Sequence, residues 1–300
     1  MSRDSLWQRL TRGAQRFWHR PDWPRFAGND WAERIMEVAV TDRFHAKQGR
    51  STGRLVLGGP GRELTVYLKR HYRLPRWRGL LAALLPDGGW SPAVEEWRHL
   101  DWAREQGLAV PAAVAAGEYL GPLGRLRSFL AVEELTGMVP LNEAIPVVRA
   151  GLSPDAFRRW KGAIARELAR VARTLHDRRC FHKDLYLCHF FIPSADSERL
   201  LDFRGRVHLI DLHRLAHHRW TWPIWLVKDL AQLLYSSEIA GVDARDRLNF
   251  WRAYLGAGRQ GWSGRLLRWA ILFKWRRYRR HNTRTKARRA AAEGKKGKAA

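Results

Sequence analysis

Cysteine is almost missing from this chain: Cys180 and Cys188 are the two among 300 residues. They flank one short motif too closely for a disulfide framework, which argues for a reducing compartment. Acid is also scarce. Twenty-nine Asp and Glu face 55 Lys and Arg, a formal net charge of +26. That excess calls for an anionic partner: nucleic acid, an anionic membrane face or a phosphorylated substrate. No run of about 18 apolar residues is present to span a bilayer. The opening stretch MSRDSLWQRLTRGAQRFWHR never reaches an uninterrupted apolar signal-peptide core. The expectation is a cytoplasmic protein, peripheral to a membrane. Internal repeats are absent, as are helix-turn-helix, RRM and zinc-finger patterns.

What is there is a chain of 45% hydrophobic residues, enough for one large domain or two lobes. Sixteen Trp is high. Trp with Arg suits a membrane–water interface and also stacking on bases. Apolar Trp7, Leu10, Ala14 and Phe17, with Arg9, Arg12 and Arg16 between them, have helical spacing. That predicts a basic helix over residues 4–18, lying on a membrane or packed on the body. PDWPRF then breaks the pattern.

Strands follow. IMEVAV and RLVL are β-rich, and ELTVYLK alternates Leu64, Val66 and Leu68 on one face. GGPG marks a turn, and the connection HAKQGRSTG has the form of a loop that presents N–H groups to phosphates, or of a plain hairpin loop. Ser91 and Pro92 predict a helix start. Its apolar centre is Ala93, Trp97 and Leu100, with Glu96 about 60° away and Glu95 far around the back. SFLAVEEL reads as a buried strand. The second half is helical: Ser153-Pro154 opens a long helix with Phe157, Trp160, Ile164, Leu168, Val171 and Leu175 on one face. FFI and RVHLIDL read as short strands, KDLAQLLYS as a helix, and LLRWAILFKW as the last helix before a basic tail expected to be unstructured.

Phosphoryl transfer needs a Lys for nucleotide phosphates and a helix-borne Glu to orient it. It also needs an Asp for the attacking hydroxyl and a second Asp for Mg²⁺. Lys69, Glu96, Asp184 and Asp211 occur in that order, each in suitable local structure. A metal site from Cys180, His182, Cys188 and His189 has the right residue types for Zn²⁺ but not the spacing. Small buried cysteines are the simpler account.

GRST, VYLK, EEW, HKDLYLCHF, LIDLHR and KDLAQLLYS together resemble the bacterial lipopolysaccharide kinases of the protein-kinase-like superfamily, over roughly residues 35–240. That resemblance implies an α+β, two-lobed fold with a small β-rich N-lobe and a larger, mostly helical C-lobe. It divides the chain into a basic Trp-rich segment (1–34), the N-lobe (35–136), the C-lobe (137–280) and the tail (281–300). The implied function is ATP-dependent phosphorylation of an inner-core sugar, heptose first and Kdo as the alternative, on a lipopolysaccharide core and lipid A substrate at the inner membrane. By resemblance, Lys69 holds phosphates and pairs with Glu96, and Ser51 and Thr52 lie over the phosphates. Glu133 to Leu135 bind adenine through backbone. Asp184, beside Lys183, is the catalytic base or hydroxyl-orienting residue, Asp211 binds Mg²⁺, and Asp229 braces the loop. His189 stands where a protein kinase has an Asn, and imidazole is a poor Mg²⁺ ligand, so either one Mg²⁺ or an orienting His189 is implied. Asp211 is followed by Leu-His, not Phe-Gly, and no activation segment of the protein-kinase type is present. His213, Arg214, His217, His218, Arg219, Trp220 and Trp222 could line the acceptor side, and LLRWAILFKWRRYRR could rest on an anionic leaflet. The rival class is a non-catalytic kinase-like or nucleic-acid-binding protein using its charge; no specific nucleic acid is expected.

Overall fold

A computed structural model of the chain describes residues 5–40, 49–59, 62–194, 202–256 and 261–296, with side chains except at 62 and 282–296. It comprises two compact units, Met1–Thr136 and Gly137–Ala300. The helix signals and the alternating runs sort accordingly into a β-rich first unit and a mostly helical second one.

In the first unit the elements are α1 (Leu6–Thr11), β1 (Ala14–His19), α2 (Trp23–Ala27), α3 (Trp31–Arg34), β2 (Arg50–Gly59), β3 (Arg62–His71), α4 (Arg76–Leu84), α5 (Pro92–Glu105), β4 (Ala113–Gly121) and β5 (Arg125–Glu133). The strands form one sheet in the order β1-β4-β5-β3-β2, every neighbour antiparallel. Strand periodicity decides the two faces. Leu64, Val66 and Leu68 point into a core with Trp23, Trp31 and Phe129. Lys69 points to the opposite side, where its partner Glu96 on α5 lies. The GGPG turn falls on residues 60 and 61, outside the described residues, but the register Gly59↔Arg62 closes the hairpin around it. Most of HAKQG is outside them too.

The N-terminal segment departs from expectation. Its helix stops at Thr11, and Ala14–His19 is a strand on the edge of the sheet. Gly13 is the reason: its φ is +88°, and a Cβ there would sit 2.1 Å from the Leu120 carbonyl oxygen. Only glycine lets the chain turn and approach β4 so closely. Trp23 and Trp31 are core residues, edge to face at 5.9 Å, not surface anchors. Trp23 and Trp31 thus tie this segment into the core of the first unit.

The second unit contains β6 (Met138–Pro140), α6 (Leu141–Gly151), α7 (Pro154–Asp177), β7 (Cys180–Phe181), β8 (Phe190–Pro193), β9 (His208–Leu209), β10 (Ala216–His217), α8 (Trp222–Ser236), α9 (Ala244–Leu255) and α10 (Trp262–Lys296). The Ser153 hydroxyl caps α7 by accepting the Ala156 N–H, and the six apolar residues of its stripe are all buried. Helix α9 had no distinct sequence signal beyond Asp243 and Asp246, which form a capping box. Lys161 of α7 meets both carboxylates. The basic tail also departs from expectation: α10 continues through it to Lys296. Ala, Lys and Arg carry low helix cost, so the backbone there has little reason to break. Among the described residues no helix is long and apolar enough to cross a membrane.

Candidate active site

The candidate residues of the first unit lie on β3 and the elements beside it. Lys69 Nζ donates to Glu96 Oε1 at 2.7 Å. Glu96 is 4% exposed, as its position beside the apolar stripe of α5 requires. Two devices fix α5. The Ser91 hydroxyl accepts the Val94 N–H, and the buried Glu118 carboxylate of β4 accepts the Ser91 N–H at 2.7 Å. An anion at a helix N-terminus also meets the positive end of the helix dipole. Glu118 carried no sequence signal, because a lone acid in an apolar strand looks like a solvated one.

Ser51 and Thr52 are in β2, not in a loop. Ser51 shares the buried face with Gly53 and Leu55; its hydroxyl takes the Nε–H of Arg70 at 3.2 Å and lies 3.2 Å from the Tyr72 hydroxyl. It is committed to the core side and turned away from the face bearing Lys69. Thr52 pairs directly with Lys69 and shares its face. At the end of β5, Glu133 donates its N–H to Ala112 and its carboxylate binds Arg20 at 2.7 Å. The Glu134 N–H goes to Thr65, and its carboxylate holds Arg54 through two bonds. The N–H of Leu135 has no partner among the described residues. Of this segment, Leu135 therefore retains a backbone donor, whereas Glu133 does not.

In the second unit, HKDLYLCHF runs from β7 through an extended loop into β8. Three side chains on one face of α8 hold its backbone. Asp229 accepts the N–H groups of His182 and Lys183, both at 2.8 Å. Gln232 accepts the Leu185 N–H at 3.3 Å, and the Ser236 hydroxyl accepts that of Leu187 at 2.9 Å. The spacing i, i+3, i+7 is one helical stripe, so α8 acts as a ruler for the loop. Sequence reading found Asp229 and missed the other two, although KDLAQLLYS contained the spacing.

The Asp184 carboxylate emerges from this loop. Oδ2 accepts from Arg214 at 2.7 Å and Oδ1 from Gln232 at 3.4 Å. Each oxygen keeps a further lone pair. His182 lies fully buried, and its Nε2 bonds the Ile210 carbonyl at 3.0 Å. A carbonyl only accepts, so Nε2 carries the proton; burial pushes the pKa of this imidazole below its ordinary value, which keeps it neutral. It links the loop to the residue before Asp211.

Asp211 has φ +64°, a left-handed backbone rare for an L-residue. Its Oδ1 lies 2.6 Å from His213 Nδ1, and its Oδ2 lies 3.9 Å from His189 Nε2. The other nitrogen of His189 donates to the Asp184 carbonyl at 2.7 Å. Burial opposes charge on His189, but bonds to Cys188 and to that carbonyl, with Asp211 nearby, carry its pKa above the ordinary value. Of these groups only the Asp211 carboxylate offers the oxygen donors that a hard cation prefers; the imidazoles do not. No group of three or more His, Cys, Asp or Glu fit to hold a metal is present among the described residues, the Cys180–His189 constellation included.

Positive charge crowds the same place. Lys183 and Lys228 both sit over the Trp225 ring, 4.8 and 5.1 Å from its centroid. Burial lowers both pKa values, and repulsion from Arg214 lowers them further. His218 stacks on Trp225 at 4.7 Å, while Trp220 stays exposed.

Three comparisons bear on this geometry. Residues 42–254 match the model of the "Lipopolysaccharide kinase (Kdo/WaaP) family". The chain is 33% identical over 215 residues to the lipopolysaccharide core heptose(I) kinase WaaP of Pseudomonas aeruginosa, covering 70% of this chain and 75% of that one. It is 31% identical over 183 residues to the Escherichia coli protein of the same name, covering 60% and 65%. A solved structure, WaaP in complex with acyl carrier protein, is similar at 27% identity with a TM-score of 0.65, over 88% of this chain and 97% of that one. The family match spans both the Lys69–Glu96 pair and the loop held by α8, so this chain belongs to the lipopolysaccharide kinase (Kdo/WaaP) family and is a phosphotransferase acting on a lipopolysaccharide core sugar.

Proposed function

We propose that this protein transfers the γ-phosphoryl group of ATP to a heptose hydroxyl of the lipopolysaccharide inner core, using a two-lobed kinase-like fold. The observation that carries the reading is the loop from His182 to His189, with Asp184 presented on a backbone that Asp229, Gln232 and Ser236 hold from below. Heptose is supported by the two relatives, both core heptose(I) kinases. Kdo is the second reading, supported by the family description.

In this reading Lys69, held by Glu96, binds the α- and β-phosphates, with Thr52 on the same face. Leu135 N–H is the backbone donor for adenine. Asp211 would hold Mg²⁺, which supplies charge neutralisation at the transferring phosphoryl group. Asp184 orients the acceptor hydroxyl and takes its proton. The new bond joins the sugar oxygen to phosphorus, the bond from phosphorus to the ADP oxygen breaks, and ADP leaves. Arg214 and Gln232 fix the rotamer of Asp184, so little reorganisation is left for the transition state. Lys183 and Lys228 meet the anionic groups that surround the acceptor sugar. The reaction belongs on the cytoplasmic side of the inner membrane, where ATP and Mg²⁺ are available; the two free cysteines suit that compartment. Acyl carrier protein is a candidate partner, since the structural relative was solved with it.

The test is mass spectrometry of core lipopolysaccharide made with and without this protein, together with ATP turnover by wild type and Asp184→Ala. A phosphate on heptose, lost in the variant, is expected. Phosphate on Kdo favours the second reading. Failure to label any lipopolysaccharide-derived acceptor would end both.

A further inference from the structure

Helix α10 is apolar on two opposite sides. At 100° per residue, Leu267, Ile271, Trp275 and Tyr278 cluster on one side, and this side packs toward α8: Ile271 is buried, and Tyr278 meets Tyr235 at 6.2 Å. A helix of a compact unit needs one such stripe. Yet Trp262, Leu266, Trp269 and Phe273 form a second stripe, about 180° away. Their exposures are 77%, 57%, 65% and 55%. Lone exposed apolar residues are ordinary, but four in line on one helix face call for a partner.

The continuation of the stripe identifies that partner. One and two turns further along the same line come Arg276, Arg277 and Arg280, all exposed. The stripe thus passes from indole and phenyl groups to guanidinium groups without crossing the helix. Trp262 and Leu266 also line a cavity with Trp222 and Leu226, near the start of α8. There Trp220 is 82% and Ile224 67% exposed, so the apolar surface extends beyond α10. A neutral protein surface would accept the apolar residues but give the adjoining arginines nothing to bind, whereas an anionic one serves both. Trp at headgroup depth beside Arg suits the interface of an anionic bilayer, which rewards both groups at once.

We infer that the outer face of α10, from Trp262 to Arg280, docks on an anionic lipid surface, laying the helix along the membrane. The inference rests on the lipopolysaccharide reading only for its purpose, because the acceptor sugar is carried on a lipid anchor. The docking itself needs neither ATP nor acceptor.

The experiment is flotation of the full chain with vesicles of phosphatidylcholine alone, or of phosphatidylcholine with about 30% phosphatidylglycerol, a content chosen to give a strong surface potential. Wild type is expected to float with the anionic vesicles, and the bound fraction to fall as salt rises. The triple variant Trp262→Ser, Trp269→Ser, Phe273→Ser should lose at least tenfold in affinity. Arg276→Ser with Arg277→Ser and Arg280→Ser should lose affinity for anionic vesicles. All these side chains are exposed, so circular dichroism and Tm should match wild type. Phosphorylation of a water-soluble, delipidated core oligosaccharide should also be unchanged in both variants, which separates this test from that of the kinase reading. The inference is overturned if the triple variant binds anionic vesicles as wild type does. It is equally overturned if the variant instead dissolves a dimer or abolishes binding to acyl carrier protein, with vesicle binding intact.

Discussion

Asp229 accepts the backbone N–H of Lys183 at 2.8 Å, and Lys183 holds φ +67°, a conformation that an L-residue adopts only at a cost of about 1 kcal/mol or more. The second oxygen of the same carboxylate accepts the His182 N–H at 2.8 Å. The strained peptide just before Asp184 is thus fixed from a buried helix. Removing the carboxylate leaves two amides without acceptors, that of His182 buried and that of Lys183 partly so, each worth about 1–3 kcal/mol. Asp229→Ala is expected to destabilise the protein by about 3 kcal/mol or more in urea unfolding. A loss below about 1 kcal/mol would show that water replaces the carboxylate and that it does not hold the loop.

Gln232 separates positioning from packing. Its carbonyl accepts the Leu185 N–H, and its amide donates to the Tyr186 hydroxyl and to Asp184. Gln232→Glu keeps the acceptor but removes the donor and sets a negative charge facing Asp184. Expected is a fall in kcat of about tenfold or more with KM for ATP unchanged, since one charge-assisted bond is worth about 1.5–3 kcal/mol. If KM for ATP rises while kcat stays level, Gln232 does not act through Asp184.

The Lys69–Glu96 pair makes a different demand. Glu96 is almost fully buried and Lys69 is partly exposed, so the bond between them orients an ammonium on a side chain that solvent still reaches. Glu96→Gln keeps shape and acceptor but removes charge. Lys69→Met removes the cation itself. The methionine variant is expected to lose about 10²–10³-fold in kcat/KM for ATP, the scale seen when a preorganised electrostatic group is deleted, and the glutamine variant less. Equal losses in both, or none in the methionine variant, would break the assignment. Isothermal titration with a non-hydrolysable nucleotide reports the binding part alone.

Much of this was legible because local signals agreed. Alternation in ELTVYLK set the face of Lys69, and the Ser91 cap with the Ala93–Leu100 stripe turned Glu96 inward. Asp184 and Asp229 were found through motif residues. What failed to show was tertiary. Gly13 looks like any glycine until Leu120 approaches it, so the edge strand β1 read as helix. Ser51 looked like a phosphate binder because GRST resembles a loop, yet Arg70 needed a buried acceptor. Gln232 and Ser236 are unremarkable polar residues on a helix until the loop's amides are counted. The Trp residues divided in a way composition could not foresee: Trp23 and Trp160 fill cores, while Trp262 and Trp269 face outward.

Acid should weaken the first unit through one ion pair. Arg54 of β2 binds Glu134 at 2.8 and 3.0 Å. The bond from Arg54 outweighs burial and holds the Glu134 carboxyl below its ordinary value of 4.5. The folded-state pKa is thus lower than the unfolded one. The pair contributes in full above the unfolded value, and its contribution fades as pH falls through the depressed folded value. Glu134 is 18% and Arg54 35% exposed, so solvent screening limits the gain to about 0.5–1 kcal/mol. Arg54→Met is therefore expected to be less stable than wild type by that amount at pH 7. The gap should close in strong acid, below the depressed value, where Glu134 is protonated in both proteins. Urea midpoints at pH 7 and at progressively lower pH measure it. A gap that persists in acid belongs to the other contacts of Arg54, and the account through Glu134 then fails.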